Sequence, residues 1–220
     1  MTRGAPRGGP GPHGNGFADI DAVVAAIGRG GVAGVPTDTV YGLACDPRNM
    51  DAVDRIYAIK LRPAGLELTL LAGSLAEAEE AVELNAEARM LAARYWPGPL
   101  SIIAPLRRCD LAIPRIGGTL SCRIPDHDLL RRLLRRTGPL ASTSANRHGE
   151  PPATTAEAVH QSLGPELDAV LDGGPAGGLA SSIIDCGRTP PQVVREGPIS
   201  AAELLAHVTA ARPAPEHDGG

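Results

Sequence analysis

Aromatic residues are scarce in this sequence, at 2% of its 220 residues. Proteins that bind single strands by base stacking use several aromatic side chains, so this scarcity argues against an extended stacking platform. The formal net charge of −4 argues against a globally basic nucleic-acid-binding protein, although a local basic face is compatible with it. The core has to be built from Ala, Val, Leu and Ile.

Long apolar runs and paired cysteines are also missing. No run approaches the ~20 residues of a membrane-spanning helix, and the first sixteen residues lack the apolar segment of a secretion signal. Cys45, Cys109, Cys122 and Cys186 form no C-x-x-C pair and no zinc spacing with histidine. We therefore expect reduced, mostly buried thiols, no metal-ligating residues, no membrane contact and a cytoplasmic location.

The length fits one domain that is large enough to bury a core. Both ends are rich in Pro, Gly and small residues. We expect disordered tails at residues 1–17 and 208–220, which leaves residues 18–207 as the folded domain.

The segment Gly31–Leu43 has the most informative pattern in the chain. Val32–Val35 predicts a short strand, which Pro36 should end because proline cannot donate to a sheet ladder. Hydroxyl and carboxyl side chains follow at residues 37–39, with Tyr41 next to them. This turn either forms a pocket wall or serves only as a strand exit and helix cap.

The apolar spacing of residues 49–60 predicts a helix, capped by Asn49 or Asp51. Lys60 and Arg62 come at its C-terminal end, where cations commonly interact only with the helix dipole. Pro63 disfavours helical geometry at Arg62, so the alternative is that both cations contact a shared anion.

Further along, the sequence predicts strands at residues 66–71, 100–106, 119–125, 169–171, 181–185 and 192–195. It predicts helices at residues 74–84, 85–95, 154–163 and 200–208. Arg123 falls on the polar face of its strand, where it either meets solvent or clamps a carboxylate with its planar fork. Asp126 should cap the next helix, whose four arginines read most simply as a solvated face.

Two strand ends carry unusual polar residues. The strand before Ser142–Asn146 runs directly into hydroxyls and an amide, which is unfavourable unless a ligand satisfies them. Ser181–Asp185 begins with hydroxyls after the glycine-rich segment Gly173–Gly178, whose backbone amides can approach a phosphate closely. Glycine loops are common, so this second signal is weak by itself.

Six motifs in this order resemble the Sua5/YrdC family over about residues 18–206: Pro36-Thr-Asp-Thr-Val-Tyr-Gly-Leu43, Lys60-Leu-Arg62-Pro63, Tyr95-Trp-Pro-Gly-Pro99, Arg123-Ile-Pro125, Ser142-Thr-Ser-Ala-Asn146 and Ser181-Ser-Ile-Ile-Asp185. The resemblance implies a mixed α/β fold, with a twisted mixed sheet flanked by helices around a concave cavity. It implies a nucleotidyltransferase that makes threonylcarbamoyl-AMP and pyrophosphate from L-threonine, bicarbonate or CO2, and ATP, with Mg²⁺ as a further expected participant. The product would pass to a tRNA threonylcarbamoyl transferase complex for t6A modification.

The resemblance also assigns roles to particular residues. Those associated with the reaction and with ATP are Lys60, Arg62, Ser144 and Asn146. Those associated with threonine are Thr37, Tyr41, Arg123 and Ser142. Ser182 and Arg195 correspond to positions associated with the ATP phosphates.

One departure keeps other functions open. Leu66 and Glu67 stand where the family usually has a lysine, which removes a cation and adds an anion near the expected polyphosphate site. One alternative is a paralogue that adenylates another carbamoyl or carboxylate substrate. Another is a non-catalytic protein of the same fold that binds double-stranded RNA through its basic cavity and the arginines at 131–136.

Overall fold

The computed structural model of the chain describes residues 17–61, 68–108, 110–114 and 117–210. The α-helices in these ranges are α1 (Ile20–Gly28), α2 (Met50–Lys60), α3 (Leu75–Ala81), α4 (Ala86–Tyr95), α5 (Asp128–Thr137), α6 (Ala156–Leu163) and α7 (Ala201–Ala210). The strands are β1 (Ala33–Val35), β2 (Gly42–Cys45), β3 (Thr69–Leu71), β4 (Leu100–Pro105), β5 (Thr119–Arg123), β6 (Leu140–Ser144), β7 (Ala169–Val170), β8 (Ser182–Asp185) and β9 (Gln192–Arg195). No helix in the described part of the chain is long and apolar enough to cross a membrane.

The strands form one mixed sheet in the order β7-β1-β2-β6-β3-β5-β4-β8-β9. The pairs β1–β7, β3–β5 and β4–β8 are parallel, and the other neighbouring pairs are antiparallel. This confirms the predicted mixed α/β fold with helices flanking the sheet.

Helices cover the two faces of the sheet unequally. One face packs against most of the helices in a large core, which includes Ile56 of α2 and Leu91 of α4. The opposite face has a smaller core in which α1 and α5 pack against the sheet, with Leu133 next to Leu140 of β6. Because alternate residues of a strand share a face, Ser142 lies on the same face as Leu140. The apolar cover therefore stops partway along β6, and the polar part of that face borders a cavity.

Side-chain caps fix where most helices begin. The expected caps at Asn49, Ser74, Asn85 and Ser200 each accept a backbone N–H of the first turn. The prediction for α5 was wrong: His127 is its N-cap, and its Nδ1 accepts from Leu130 N. The backbone N–H of Asp126 instead donates to Asp38 Oδ1 at 3.2 Å, which ties the start of α5 to the turn after β1.

Several boundaries differ from the sequence-based expectation. Strand β2 has no alternating pattern and was not predicted; it forms because all four of its residues are buried between β1 and β6. Phe17 is buried in the large core, so it does not belong to a tail. Helix α7 continues to Ala210, past the predicted domain end. The rest of the predicted tails, the Leu66–Glu67 departure and Cys109 lie outside the described residues. The other three cysteines are buried free thiols, as expected.

Candidate active site

A cavity of about 360 Å³ opens on the partly covered face of the sheet. Its described lining is mostly hydroxyl-bearing and small, and it includes four basic side chains: Lys60, Arg123, His148 and Arg195. No carboxylate belongs to this described lining. The cavity is therefore suited to an anionic, strongly hydrogen-bonding ligand.

Short hydroxyl side chains form the floor of the cavity. Thr69 of β3 and Ser121 of β5 hydrogen-bond to each other across the sheet at 3.0 Å, and Ser101 of β4 bonds Ser181 at 3.1 Å. The alternate residues of these strands, such as Cys122, point into the large core. Polar residues in the strand interiors thus build the floor without disturbing the apolar face behind it.

The turn after β1 forms one wall. Thr37 Oγ1 donates to Val40 O at 2.6 Å and accepts the backbone N–H groups of Thr39 and Val40. Since its one proton goes to Val40 O, the 2.9 Å contact between the two threonine hydroxyls has Thr39 as the donor. Thr37 lines the cavity as predicted, but its hydroxyl holds the turn in shape.

Arg123 of β5 is buried behind this turn at 4% exposure. Its Nε donates to Gly98 O at 2.9 Å, Nη1 to Thr39 Oγ1 at 2.9 Å, and Nη2 to Asp38 Oδ1 at 2.6 Å. Burial lowers the pKa of Arg123, and the charge of Asp38 opposes that shift. Three of the five N–H groups of the guanidinium are therefore used within the protein, and two remain.

The Trp96–Pro99 corner contributes to this arrangement. Its sequence is explained by the need to end α4, yet the carbonyl of Gly98 also orients Arg123. The N–H of Gly98 donates to Ile124 O at 2.9 Å, so the corner is fastened beside the arginine. A Cβ at Gly98 would come within 2.5 Å of Tyr95 O, which explains why glycine stands there.

Arg195 of β9 supplies the second guanidinium. Its Nε donates to Ser181 O at 2.9 Å and Nη2 to Ser181 Oγ at 3.1 Å. Burial, and secondarily the charge of Arg123, lower the pKa of Arg195. The structure does not bring the predicted Ser182 to the cavity: its hydroxyl is buried and bonds the backbone of Gly197 and Ile199. Ser181 lines the cavity instead.

Lys60 ends α2 and joins it to the segment after β6. Its Nζ donates to Ser144 O at 2.6 Å, Asn146 O at 2.9 Å and Asn146 Oδ1 at 3.1 Å. The Asn146 amide in turn donates to Arg147 O and Glu150 O. Lys60, Ser144 and Asn146 therefore meet at one end of the cavity, as predicted. Arg62 lies outside the described residues.

Tyr41 fastens the glycine-rich segment rather than exposing its hydroxyl. The phenol donates to Gly174 O at 2.8 Å and accepts from Gly173 N at 3.1 Å. Burial raises the pKa of Tyr41, so the phenol keeps the proton that it donates. The N–H of Gly178 is likewise bonded to Thr39 O. Two backbone amides of the segment that we expected to approach a phosphate, those of Gly173 and Gly178, are therefore already bonded to Tyr41 and Thr39.

Most of the predicted site residues line this single cavity: Thr37, Tyr41, Lys60, Arg123, Ser142, Ser144, Asn146 and Arg195. Sequence reasoning missed Asp38, Thr39, Ser181 and His148 as participants. Three of these, Asp38, Thr39 and Ser181, stand inside quoted motifs, and the alternation of β8 could have pointed to Ser181. His148 follows the last quoted residue of its motif by two positions, and its backbone N–H donates to Lys60 O at 2.8 Å.

The donor set of the described cavity lining does not fit a protein-bound Mg²⁺. That ion prefers carboxylate oxygens, whereas the described cavity lining has none, and no cluster of candidate metal ligands occurs among the described residues.

The sequence profile of the family labelled Sua5_yciO_yrdC and described as "Telomere recombination" matches residues 25–197. The chain belongs to the Sua5/YciO/YrdC family. Within the family, it is 35% identical over 193 residues to threonylcarbamoyl-AMP synthase of Bacillus subtilis, covering 85% of this chain and 56% of that protein. It is 40% identical over 170 residues to the synthase of Xanthomonas campestris pv. campestris, covering 74% of this chain and 89% of that protein.

A solved structure of the same family supports the fold. Sua5 of Pyrococcus abyssi, crystallised in complex with L-threonine, superposes with a TM-score of 0.79 at 33% identity. The match covers 86% of this chain and 56% of that one. This Sua5/YciO/YrdC member thus spans little more than half the length of the Bacillus and Pyrococcus relatives and most of the Xanthomonas relative.

Proposed function

We propose that this chain is an L-threonylcarbamoyl-AMP synthase, which converts L-threonine, bicarbonate or CO2, and ATP to threonylcarbamoyl-AMP and pyrophosphate. The observation that carries the proposal is one hydroxyl-lined cavity that contains Lys60, Arg123 and Arg195 and has no carboxylate in its described lining. Relatives at 35% and 40% identity that carry this name support the choice of reaction.

Arg123 binds the carboxylate of threonine in this proposal. Two N–H groups remain on its terminal nitrogens after the bonds to Asp38, Thr39 and Gly98 are counted. Such a pair suits the two oxygens of a carboxylate. Ser142 also lines the cavity and is assigned to threonine together with Arg123.

The nucleotide occupies the end that holds Lys60, Ser144 and Asn146, and its phosphates extend toward Arg195. Lys60 is the only lysine in the sequence. Its ammonium lies among oxygens of Ser144 and Asn146, so it adds positive charge to that wall and holds the wall in shape. Arg62 is proposed to act beside it.

The reaction requires no nucleophile from the protein. The threonine nitrogen forms a bond to the carbon of CO2 and releases a proton, which gives an N-carboxylate. An oxygen of that group attacks the α-phosphorus, and the bond from phosphorus to the β-phosphate oxygen breaks as pyrophosphate leaves with the electron pair. Two anions must approach, so positioning and neutralisation of charge by the basic residues are the protein's contribution. Orientation alone supplies up to ~7–11 kcal/mol of such a barrier.

Mg²⁺ stays a prediction, and the described cavity lining offers no carboxylate to bind it. The product is a mixed anhydride that water destroys, so we propose that a tRNA threonylcarbamoyl transferase complex receives it for t6A synthesis. A cytoplasmic location fits the buried free thiols of the described cysteines.

Pyrophosphate release tests the assignment. The purified chain with ATP and bicarbonate should release pyrophosphate only when L-threonine is added, and far less with L-serine or L-alanine. Release that is the same for every amino acid would refute the proposal. Pyrophosphate release that is supported equally well by carbamoyl phosphate in place of threonine plus bicarbonate would favour the paralogue. Binding of duplex RNA without any pyrophosphate release would favour the non-catalytic alternative.

A further inference from the structure

Few aromatic rings in this protein are available to a nucleotide base. Proteins commonly bind a base by stacking it on the flat face of an aromatic or histidine side chain. One Phe, one Trp and three Tyr are the aromatic residues of the sequence. All of them lie in the described part of the chain, and Tyr41 is the one that lines the cavity. The Tyr41 side chain is fully buried and its hydroxyl is bonded to the glycine-rich segment, so it offers no free ring face.

His148 differs from Tyr41 in this respect. It lines the cavity and is exposed, and no hydrogen bond, ion pair or ring contact joins its imidazole to a described residue. The other described histidines, at positions 127, 160 and 207, do not line the cavity. Within the described lining, His148 therefore supplies the one exposed ring.

The backbone holds this ring at the end of the cavity that contains Lys60. The N–H of His148 donates to Lys60 O at 2.8 Å. The preceding side chain, Arg147, bonds Ile59 O and pairs with Glu166 at 2.7 Å. These contacts fasten the segment after β6 to the end of α2 and to the turn that follows α6. The segment that carries His148 is thus fixed without a ligand.

The size of the cavity brings the base toward its mouth. A volume of about 360 Å³ is near the lower end of the range for small-molecule sites, roughly 300–1,000 Å³. In the proposed function this volume holds threonine as well as the phosphates of ATP. The phosphates extend from Lys60 toward Arg195, so the base points away from Arg195. The exposed ring beside Lys60 lies where such a base leaves the cavity.

We propose that His148 is a base-binding residue, whose imidazole stacks on the adenine ring of ATP. The inference rests on the proposed function, which assigns the Lys60 end to the nucleotide. A stacking ring adds affinity for the base and none for the phosphates. His148 therefore favours a complete adenine nucleotide over free polyphosphate.

Calorimetric binding of ATP, and separately of tripolyphosphate, to the full chain tests the inference. His148→Ala should raise the Kd for ATP by about fivefold or more, because removal of one stacking ring typically costs at least that much. The Kd for tripolyphosphate should not change. His148→Phe should restore ATP binding because it restores a flat ring. His148→Gln should not restore it, although glutamine keeps a hydrogen-bond donor and acceptor.

His160→Ala is the matched control. His160 is also an exposed histidine, but its ring packs against Phe17 with the centroids 6.2 Å apart, and it does not line the cavity. Its variant should leave both dissociation constants unchanged. An unchanged Kd for ATP in His148→Ala would overturn the inference. So would an equal loss of tripolyphosphate binding, or restoration by glutamine as complete as that by phenylalanine.

These binding measurements need no turnover, so the two proposals can fail separately. Weaker ATP binding in His148→Ala, in a protein whose wild type releases no threonine-dependent pyrophosphate, would refute the proposed reaction alone. Threonine-dependent release by the wild type, with an unchanged Kd for ATP in His148→Ala, would refute the role of His148 alone. A wild-type chain that binds no ATP would refute both.

Discussion

Replacing Lys60 by methionine gives the sharpest test of how the proposed nucleotide end of the cavity is built. Lys60 is 3% exposed, and its Nζ donates to Ser144 O at 2.6 Å, Asn146 O at 2.9 Å and Asn146 Oδ1 at 3.1 Å. Methionine keeps an apolar stem of similar length and removes the charged donor. The segment from Ser144 to Asn146 then loses its direct bond to the end of α2.

The magnitude follows from those contacts. Hydrogen bonds to charged groups are worth about 1.5–3 kcal/mol each, but burial of the ammonium costs several kcal/mol, and the substitution recovers that cost. We expect the free energy of unfolding to fall by about 3 kcal/mol. In a chain of this size each kcal/mol corresponds to roughly 2–4 °C, so Tm should fall by roughly 6–12 °C.

Urea unfolding followed by circular dichroism measures the loss, and pyrophosphate release measures activity, which should disappear. Arg188→Met is the control, because it also removes a cation, one that is 68% exposed and pairs with Asp185. Exposed pairs are worth only ~0–1 kcal/mol. A Lys60→Met variant as stable as this control and still active would refute the reasoning.

Three further outcomes follow from the same structure. Tyr41→Phe should lower the free energy of unfolding by about 1–2 kcal/mol and speed limited proteolysis of the glycine-rich segment, because the hydroxyl that bonds Gly173 and Gly174 is lost. Ser182→Ala should cost about 1–3 kcal/mol in urea unfolding and leave the KM for ATP unchanged, whereas Ser181→Ala should raise that KM with little loss of stability. Burial raises the pKa of the Cys122 thiol to about 12, so at pH 8 a thiol reagent should modify it only on unfolding, as peptide mass spectrometry would show. The folded state disfavours the Cys122 thiolate. The stability that depends on the neutral thiol should therefore be complete below pH ~8.5, the ordinary cysteine pKa, and should decline as the pH rises toward 12.

Local patterns were sufficient for most elements of the fold. Pro36 ends β1, the caps at Asn49 and Asn85 start their helices, and the alternation of residues 119–123 gives β5. These features depend on short-range chemistry that the sequence displays directly. Strand β2 was not predicted because a short, fully buried strand has no alternation of polar and apolar residues.

The polar strand ends predicted where the cavity lies, but the sequence could not show how its charges are paired. Asp38 and Arg123 are 85 residues apart along the chain, so their contact depends on the sheet order. Ser181 and Ser182 are chemically identical, and only the register of β8 with β4 decides which hydroxyl reaches the cavity. The hydrogen bonds from Lys60 of α2 to Ser144 and Asn146 likewise depend on how the folded chain brings α2 next to the end of β6.

The most direct test of the central claim, that one cavity holds an amino acid against a nucleotide, is mass spectrometry of the product formed from ¹³C-bicarbonate, L-threonine and ATP. We predict an AMP conjugate that carries the threonine and a single ¹³C atom. This conjugate should not form when Lys60 is replaced by methionine. A conjugate without ¹³C, or pyrophosphate release without any threonine-containing conjugate, would contradict the central claim.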